Sequence, residues 1–203
     1  MESILAVAGV ISVAMITPGP NNFIVMSVAS SRGFAAAVPA IAGIISGSTL
    51  LLVLVWAGAA AIFDVFPVLR LILLLAGAAY LIWLGAMVIR NAAGRSIETN
   101  ASSGNGLPTT FAGVAAFQFF NPKAGVLVLT AIATIAGQFS DAATLAILVP
   151  LYVSIPIVCL SLWALGGVAL TLWLDGGKTR KMFDFTMGGL LILCAVFLVI
   201  NRS

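Results

Sequence analysis

Two short polar stretches interrupt otherwise apolar sequence, and they hold the residue types that could do chemistry. They are TPGPNN at residues 17–22 and NPK at residues 121–123. Proline has no N–H, so the prolines of the first stretch deprive the carbonyls of Ala14 and Ile16 of their helical donors. A helix that restarts at Pro20 also begins with unpaired N–H groups at the positive end of its dipole. We therefore expect free acceptors and free donors to meet at this stretch.

The second stretch adds a charge to an interruption of the same kind. Pro122 frees the carbonyl of Gln118, four residues earlier. Asn121 adds an amide and Lys123 an ammonium. A lysine at the centre of a bilayer costs about 2.5–3.5 kcal/mol, so we expect a compensating anion. An amino-acid zwitterion has the matching groups, because its carboxylate suits Lys123 and N–H groups while its ammonium suits free carbonyls.

Both stretches also have a purely structural interpretation. Proline kinks are common in membrane helices, where neighbouring groups often satisfy the freed carbonyls. A kink does not explain a lysine in the middle of an apolar stretch. Lys123 lies about thirteen residues from either end of that stretch, roughly 18–20 Å at the helical rise, which is too far for its ammonium to reach an interface. We therefore favour a binding site over a packing kink.

The composition places these residues in a membrane. Of the 203 residues, 62% are hydrophobic and 7% charged, and the mean hydropathy is +1.22. Apolar stretches of spanning length predict an all-α integral membrane protein with six transmembrane helices. Their ranges are 4–30, 37–63, 66–90, 111–137, 142–166 and 183–201. The glycine pair 166–167 further predicts a bend at the end of the fifth helix.

The six predicted helices form two halves of three within a single domain, residues 1–203. The polar linker 91–108 separates repeat one, residues 1–90, from repeat two, residues 109–203. In each half the leading helix is broken near its middle. Because each half has an odd number of spans, the halves are expected to be inverted repeats. Paired interruptions in inverted halves point to a transport site at the bilayer midplane.

Basic residues near the ends of the predicted helices give the orientation. Six lie on the side of the linker: Arg32, Arg90, Arg95, Lys178, Arg180 and Lys181. Two, Arg70 and Arg202, lie on the other side. The positive-inside rule therefore places the linker in the cytoplasm and both termini outside. The sequence shows no signal peptide, so the first helix is expected to remain.

The candidate site is built around the two breaks. Ser48 joins it as a polar residue of helix two, although small residues there usually indicate close helix packing. The tryptophans and tyrosines, Tyr152 and Trp163 among them, are interpreted as interface anchors or packing residues. The candidate substrate-binding residues are Ala14, Ile16, Thr17, Pro18, Gly19, Pro20, Asn21, Asn22, Ser48, Gln118, Asn121, Pro122 and Lys123.

Missing residue types exclude several functions. The chain has no histidine, and its acidic residues lie outside or near the ends of the predicted helices. Cys159 and Cys194 lie in apolar stretches without metal-ligand spacing. We therefore expect neither an enzyme nor a metal or other cofactor. The net charge of +3 is a topology signal, so no nucleic-acid partner is expected. The lack of a central carboxylate argues against a cationic substrate and leaves no obvious proton carrier.

With these motifs the chain resembles the lysine exporter / homoserine-threonine exporter (LysE/RhtB) family of bacterial amino-acid efflux proteins. The resemblance covers nearly the whole chain and rests on ITPGPNN, SRGF at 31–34, AGIISG in helix two, GAAYLIWLG in helix three and FNPKA at 120–124. The stretches SVASSRGF and AFQFFNPKAGVLVLTAIAT are most similar to the cysteine/O-acetylserine exporter branch.

The resemblance implies a secondary transporter in the bacterial inner membrane. It would export a small amino acid from the cytoplasm, with protons as the coupling ion, lipid around it and a homo-oligomeric assembly. Many members, notably those for basic amino acids, carry an aspartate where this chain has Ser48. Small neutral substrates of the cysteine, O-acetylserine, threonine or homoserine type are therefore expected. The alternatives are a lipid flippase or scramblase and a membrane subunit that transports nothing.

Overall fold

The computed structural model describes residues 1–59, 67–94, 110–173 and 177–200. Within these ranges the regular elements are helices, and no strand occurs. Their bounds are α1 Glu2–Ile16, α2 Pro20–Arg32, α3 Phe34–Leu54, α4 Pro67–Gly94, α5 Phe111–Phe117, α6 Pro122–Ile135, α7 Asp141–Trp173 and α8 Gly177–Ile200. A π-helical segment, Val55–Ala59, continues α3.

The expected breaks of the first and fourth helices are present. The axes of α1 and α2 differ by 51°, and those of α5 and α6 by 63°. Each second half-helix begins with a proline, Pro20 in α2 and Pro122 in α6. Proline suits this position because the first N–H groups of a helix have no partner within the helix. Asn121 caps α6, its side-chain oxygen accepting from the Lys123 N–H at 3.1 Å.

Two stretches of the described residues are long and apolar enough to cross a membrane, Phe34–Gly58 and Asp141–Leu170. The number rises to four if each bent pair counts as one span. The helices α4 and α8 contain shorter apolar stretches, Ala78–Arg90 and Asp184–Leu193. Six spans in two inverted repeats therefore remain a prediction. Most of the predicted linker, residues 95–108, lies outside the described residues.

The expected bend at the glycine pair in the fifth helix is wrong, because α7 continues through Gly166 and Gly167 to Trp173. Gly167 instead provides space for the backbone of a neighbouring helix. A Cβ at this position would collide with the carbonyl oxygen of Met26, so α2 passes directly over α7 at the glycine. Gly166 has no atom within 4 Å of such a Cβ. Gly167 thus serves close helix packing rather than a turn.

Small residues bring other helices together in the same way. On α3, Gly43 and Gly47 lie against the α5 backbone at Phe111 and Ala115. The packing interpretation of the small residues in helix two is therefore right for these two glycines. On α4, Gly85 faces Gly188 of α8, where a Cβ would lie 2.6 Å from the Gly188 carbonyl oxygen. Glycine contacts of this kind thus hold one half of each broken helix in place, α2 against α7 and α5 against α3.

The buried apolar residues form two clusters. One joins residues of α2, α3, α4, α5, α7 and α8, and includes Ile24, Ile44, Phe117 and Leu160. The other joins residues of α1, α3, α6 and α7, and includes Ile11, Leu127, Val128 and Tyr152. Because α3 and α7 contribute to both clusters, they frame the region where the two breaks meet.

Candidate substrate-binding site

The two breaks face one cavity. Of the residues expected from the sequence, those that line it are Ala14, Gly19, Pro20, Asn21, Asn22, Ser48, Gln118, Asn121 and Lys123. Ile16, Thr17, Pro18 and Pro122 do not line it. The lining also includes residues that the sequence did not single out for the site: Ile11, Met15, Ile44, Ala124, Leu127, Tyr152 and Pro156. Residues more than 90 positions apart in sequence thus form one site.

A reciprocal amide pair joins the two breaks. The Asn21 Nδ2 donates to Gln118 Oε1 at 2.9 Å, and the Gln118 Nε2 donates back to Asn21 Oδ1 at 3.0 Å. Asn121 Nδ2 approaches the same Asn21 oxygen at 3.4 Å. Gln118 is fully buried, and Asn21 and Asn121 are 8% and 3% exposed. Because buried amides are costly when unpaired, this pair fixes the relative position of α2 and α5.

Lys123 reaches from the second break to the first. Its Nζ donates to the carbonyl oxygen of Thr17 at 2.7 Å. That carbonyl lies just beyond the carboxyl end of α1, where the helix dipole favours a positive charge. Gly19 leaves room for the lysine, since a Cβ there would lie 3.1 Å from Nζ and 3.3 Å from Cδ. An ammonium group therefore already occupies a carbonyl of the first break.

At the first break, the backbone carbonyls of Met15 and Thr17 accept hydrogen bonds from polar side chains of the site. Asn22 Nδ2 donates to both at 2.9 Å, and Trp163 Nε1 donates to the Met15 oxygen at 3.3 Å. The expectation had named the carbonyls of Ala14 and Ile16 together with Thr17. It counted only the donors lost to proline. Where α1 ends decides which carbonyls turn inward, and the Ile16 residue is 62% exposed.

The hydroxyl groups near the cavity differ in whether they already have a hydrogen-bond partner. Ser48 is buried, and its Oγ donates to the Ile44 carbonyl at 2.6 Å, so its donor is used within α3. Thr17 Oγ1 donates to the Val13 carbonyl at 2.6 Å on an exposed surface. Tyr152 lines the cavity, and its buried hydroxyl has no hydrogen-bond partner among the described residues.

Sequence patterns offer little indication of the α7 residues of the site. Tyr152 and Pro156 are four residues apart and therefore lie on one face of α7. This spacing is visible in the sequence, but every face of α7 is apolar, so no pattern tells which one turns toward the breaks. Trp163 was interpreted as an interface anchor or a packing residue, and its indole N–H binds a carbonyl of the first break.

The cavity is small, and its lining is partly polar. Its polar side chains are four amides, an ammonium and two hydroxyl groups, and the lining residues include no carboxylate. The space open to the centre of a water molecule is about 20 Å³, which suffices for about one water. An amino acid therefore requires the site to open. No group of His, Cys, Asp or Glu suited to a metal ion occurs among the described residues.

The sequence matches a family model and several known proteins. A family model described as "LysE type translocator" matches residues 11–202. The chain is 31% identical over 110 residues to a leucine efflux protein of Enterobacter sp. (strain 638), covering 54% of this chain and 52% of that protein. It is 28% identical over 192 residues to a cysteine/O-acetylserine efflux protein of Escherichia coli O139:H28, covering 91% of each.

The relatives differ in how much of their length this chain covers. The chain spans about half of the Enterobacter leucine efflux protein and 35% of the one from Klebsiella pneumoniae, to which it is 35% identical over 75 residues. The cysteine/O-acetylserine efflux protein named above is covered nearly end to end. No solved structure matches this chain.

Proposed function

Because this chain belongs to the LysE type translocator family, we propose that it exports small neutral amino acids of the cysteine, O-acetylserine, threonine or homoserine type from the cytoplasm. One observation supports this most: two broken helices from the two halves of the chain converge on a cavity with an ammonium and amides, beside the carbonyls of Met15 and Thr17. These groups complement both charges of a zwitterion. The relatives named as amino-acid efflux proteins support the same substrate class.

Binding would proceed as an exchange of ammonium groups. In the present arrangement the Lys123 ammonium occupies the Thr17 carbonyl. An incoming amino acid would place its own ammonium on this carbonyl and on that of Met15. Lys123 would then turn to the carboxylate, together with N–H groups at the start of α2. One positive charge stays at the end of α1 throughout, and Lys123 exchanges a carbonyl partner for a carboxylate when the substrate binds.

Transport would follow from rocking of the two three-helix halves against each other. The bends of 51° and 63° at the start of each half are the features expected of inverted repeats around a midplane site. The Lys123–Thr17 contact and the Asn21–Gln118 pair both cross from one half to the other. Rocking must therefore break or lengthen them. Inner-membrane location, termini outside, proton coupling and a homo-oligomer complete the proposal and rest on the family resemblance and on charge placement.

The alternatives have less support. A lipid flippase or scramblase needs a polar groove open to the bilayer, whereas the amides here are buried, Gln118 fully and Asn121 to 3% exposure. A subunit without transport activity would have no use for a lysine that joins two broken helices. Neither alternative explains both breaks.

Counterflow tests the proposal. Proteoliposomes containing the purified protein are preloaded with one unlabelled amino acid and mixed with trace labelled O-acetylserine, cysteine, threonine, homoserine, leucine, lysine or glutamate. We expect saturable accumulation of one or more of the small neutral amino acids and none of lysine or glutamate. No accumulation of any amino acid above protein-free liposomes would overturn the proposed function, and transfer of a fluorescent lipid in the same vesicles would favour the flippase.

A further inference from the structure

Tyr152 is a buried tyrosine whose hydroxyl has no partner. The residue is 2% exposed, and its oxygen makes no hydrogen bond with any described residue. Buried hydroxyl groups are nearly always paired, so an orphan at a cavity wall needs an explanation. Tyr152 lines the same cavity as Lys123 and the amide pair. The unpaired hydroxyl thus belongs to a residue that borders the space that an amino acid would enter when the site opens.

The position of Tyr152 within the cavity lining indicates which part of a substrate it would meet. Three amides of the lining form one network, in which Asn21 binds Gln118 and Asn121. Tyr152 belongs instead to the apolar cluster that contains Ile11, Met15 and Leu127. The amides and Lys123 suit the carboxylate and ammonium, which all amino acids share. The variable side chain is left to the apolar wall, where the Tyr152 hydroxyl is the unpaired polar group.

We propose that the Tyr152 hydroxyl binds the side chain of the substrate and selects amino acids that carry a hydroxyl, thiol or ester oxygen over leucine. The inference rests on the proposed function and adds the residue that decides between substrate types. A polar side chain would pair the hydroxyl, whereas leucine would bury it unpaired. Sites built to hydrogen-bond a substrate group discriminate strongly against analogues that lack it, for this reason.

Tyr152→Phe isolates the hydroxyl, because it keeps the ring that fills the apolar cluster. Tyr80→Phe is the matched control. The Tyr80 hydroxyl is also buried without a partner among the described residues, but Tyr80 is not in the cavity lining. It packs on Phe117 with ring centroids 4.3 Å apart. Since neither hydroxyl is paired in the empty protein, neither change should lower the melting temperature.

The experiment compares half-saturation concentrations for O-acetyl-L-serine and L-leucine in counterflow with intact protein in proteoliposomes. We expect the wild type and Tyr80→Phe to prefer O-acetylserine. In Tyr152→Phe the ratio of the two half-saturation concentrations should shift toward leucine by roughly tenfold, the size of one lost hydrogen bond. If the Tyr152 hydroxyl had a merely structural role, its removal would change the half-saturation concentrations for both substrates by the same factor.

Two results would overturn the inference while leaving the proposed function in place. One is a wild type that prefers leucine, and the other is a Tyr152→Phe variant that transports with an unchanged ratio. A wild type that moves no amino acid at all would overturn the proposed function as well. A lower melting temperature of Tyr152→Phe with an unchanged ratio would assign the hydroxyl to stability alone.

Discussion

The Lys123 ammonium lies 2.7 Å from the Thr17 carbonyl oxygen, although the two residues are 106 positions apart in sequence. This bond joins the second half of one broken helix to the end of the other. It places a cation at the carboxyl end of α1, where the helix dipole and the absence of helical donors both favour it. The same carbonyl also accepts from Asn22 Nδ2 at 2.9 Å. In the proposed function a substrate ammonium takes the place of Lys123.

The room for Lys123 depends on Gly19. In Gly19→Ala the new Cβ would lie 3.1 Å from Nζ, so the lysine must shift from the Thr17 carbonyl. We expect a several-fold rise in the half-saturation concentration for counterflow, with normal insertion, because the end of a lysine side chain moves at modest cost. Gly9→Ala on α1 is the control, since a Cβ there has no atom within 4 Å. Equal half-saturation in the two variants would show that Gly19 does not position the lysine.

The amide pair between Asn21 and Gln118 should behave as one unit. Gln118→Ala leaves the Asn21 amide buried without its partner, so we expect a loss of roughly 1–3 kcal/mol in stability. The double variant with Asn21→Ala should lose less than the sum of the single changes. The control is Gln138→Ala, which removes an exposed amide in the turn after α6, bound to the Thr134 carbonyl, and should change stability by about 0.5 kcal/mol at most. Unfolding in detergent measures the wild type, both single variants, the double variant and the control, and additive losses would contradict the coupling.

The two adjacent glycines of α7 give a test of the packing. Gly167→Ala would push a methyl group into the Met26 backbone, which should cost about 1–3 kcal/mol and lower the melting temperature. Gly166→Ala meets nothing within 4 Å and should leave the melting temperature unchanged or raise it. If both variants have the same melting temperature as the wild type, α2 does not pass over α7 at Gly167.

The breaks could be predicted because their cause is local. Pro20 and Pro122 lack an N–H wherever they stand, so the first turn of a new half-helix is their natural place. The length of the apolar stretch around Lys123 led to the expectation of a compensating anion, whereas the structure shows its ammonium on the Thr17 carbonyl oxygen. Gln118 and Asn121 were both candidates for the site, and the structure places both in the cavity lining.

Other features of the site depend on contacts that an apolar sequence does not encode. Helix α7 is apolar on every side. Its periodicity therefore indicated neither that Tyr152 lines the cavity nor that Trp163 binds the Met15 carbonyl. The inward carbonyls, Met15 and Thr17, are set by where α1 ends rather than by which donors proline removes. The glycine pair of α7 was expected to bend the helix because the approach of α2 could not be seen in the sequence.

The central claim is that both breaks form one site for a zwitterion, with Lys123 as its cation. Lys123→Ala tests it in counterflow with the amino acid that the wild type moves best. The control is Lys181→Ala on α8, which removes a lysine that is not in the cavity lining. We expect Lys123→Ala to insert and remain folded but to accumulate no label, while Lys181→Ala matches the wild type. Wild-type accumulation by folded Lys123→Ala would contradict the account.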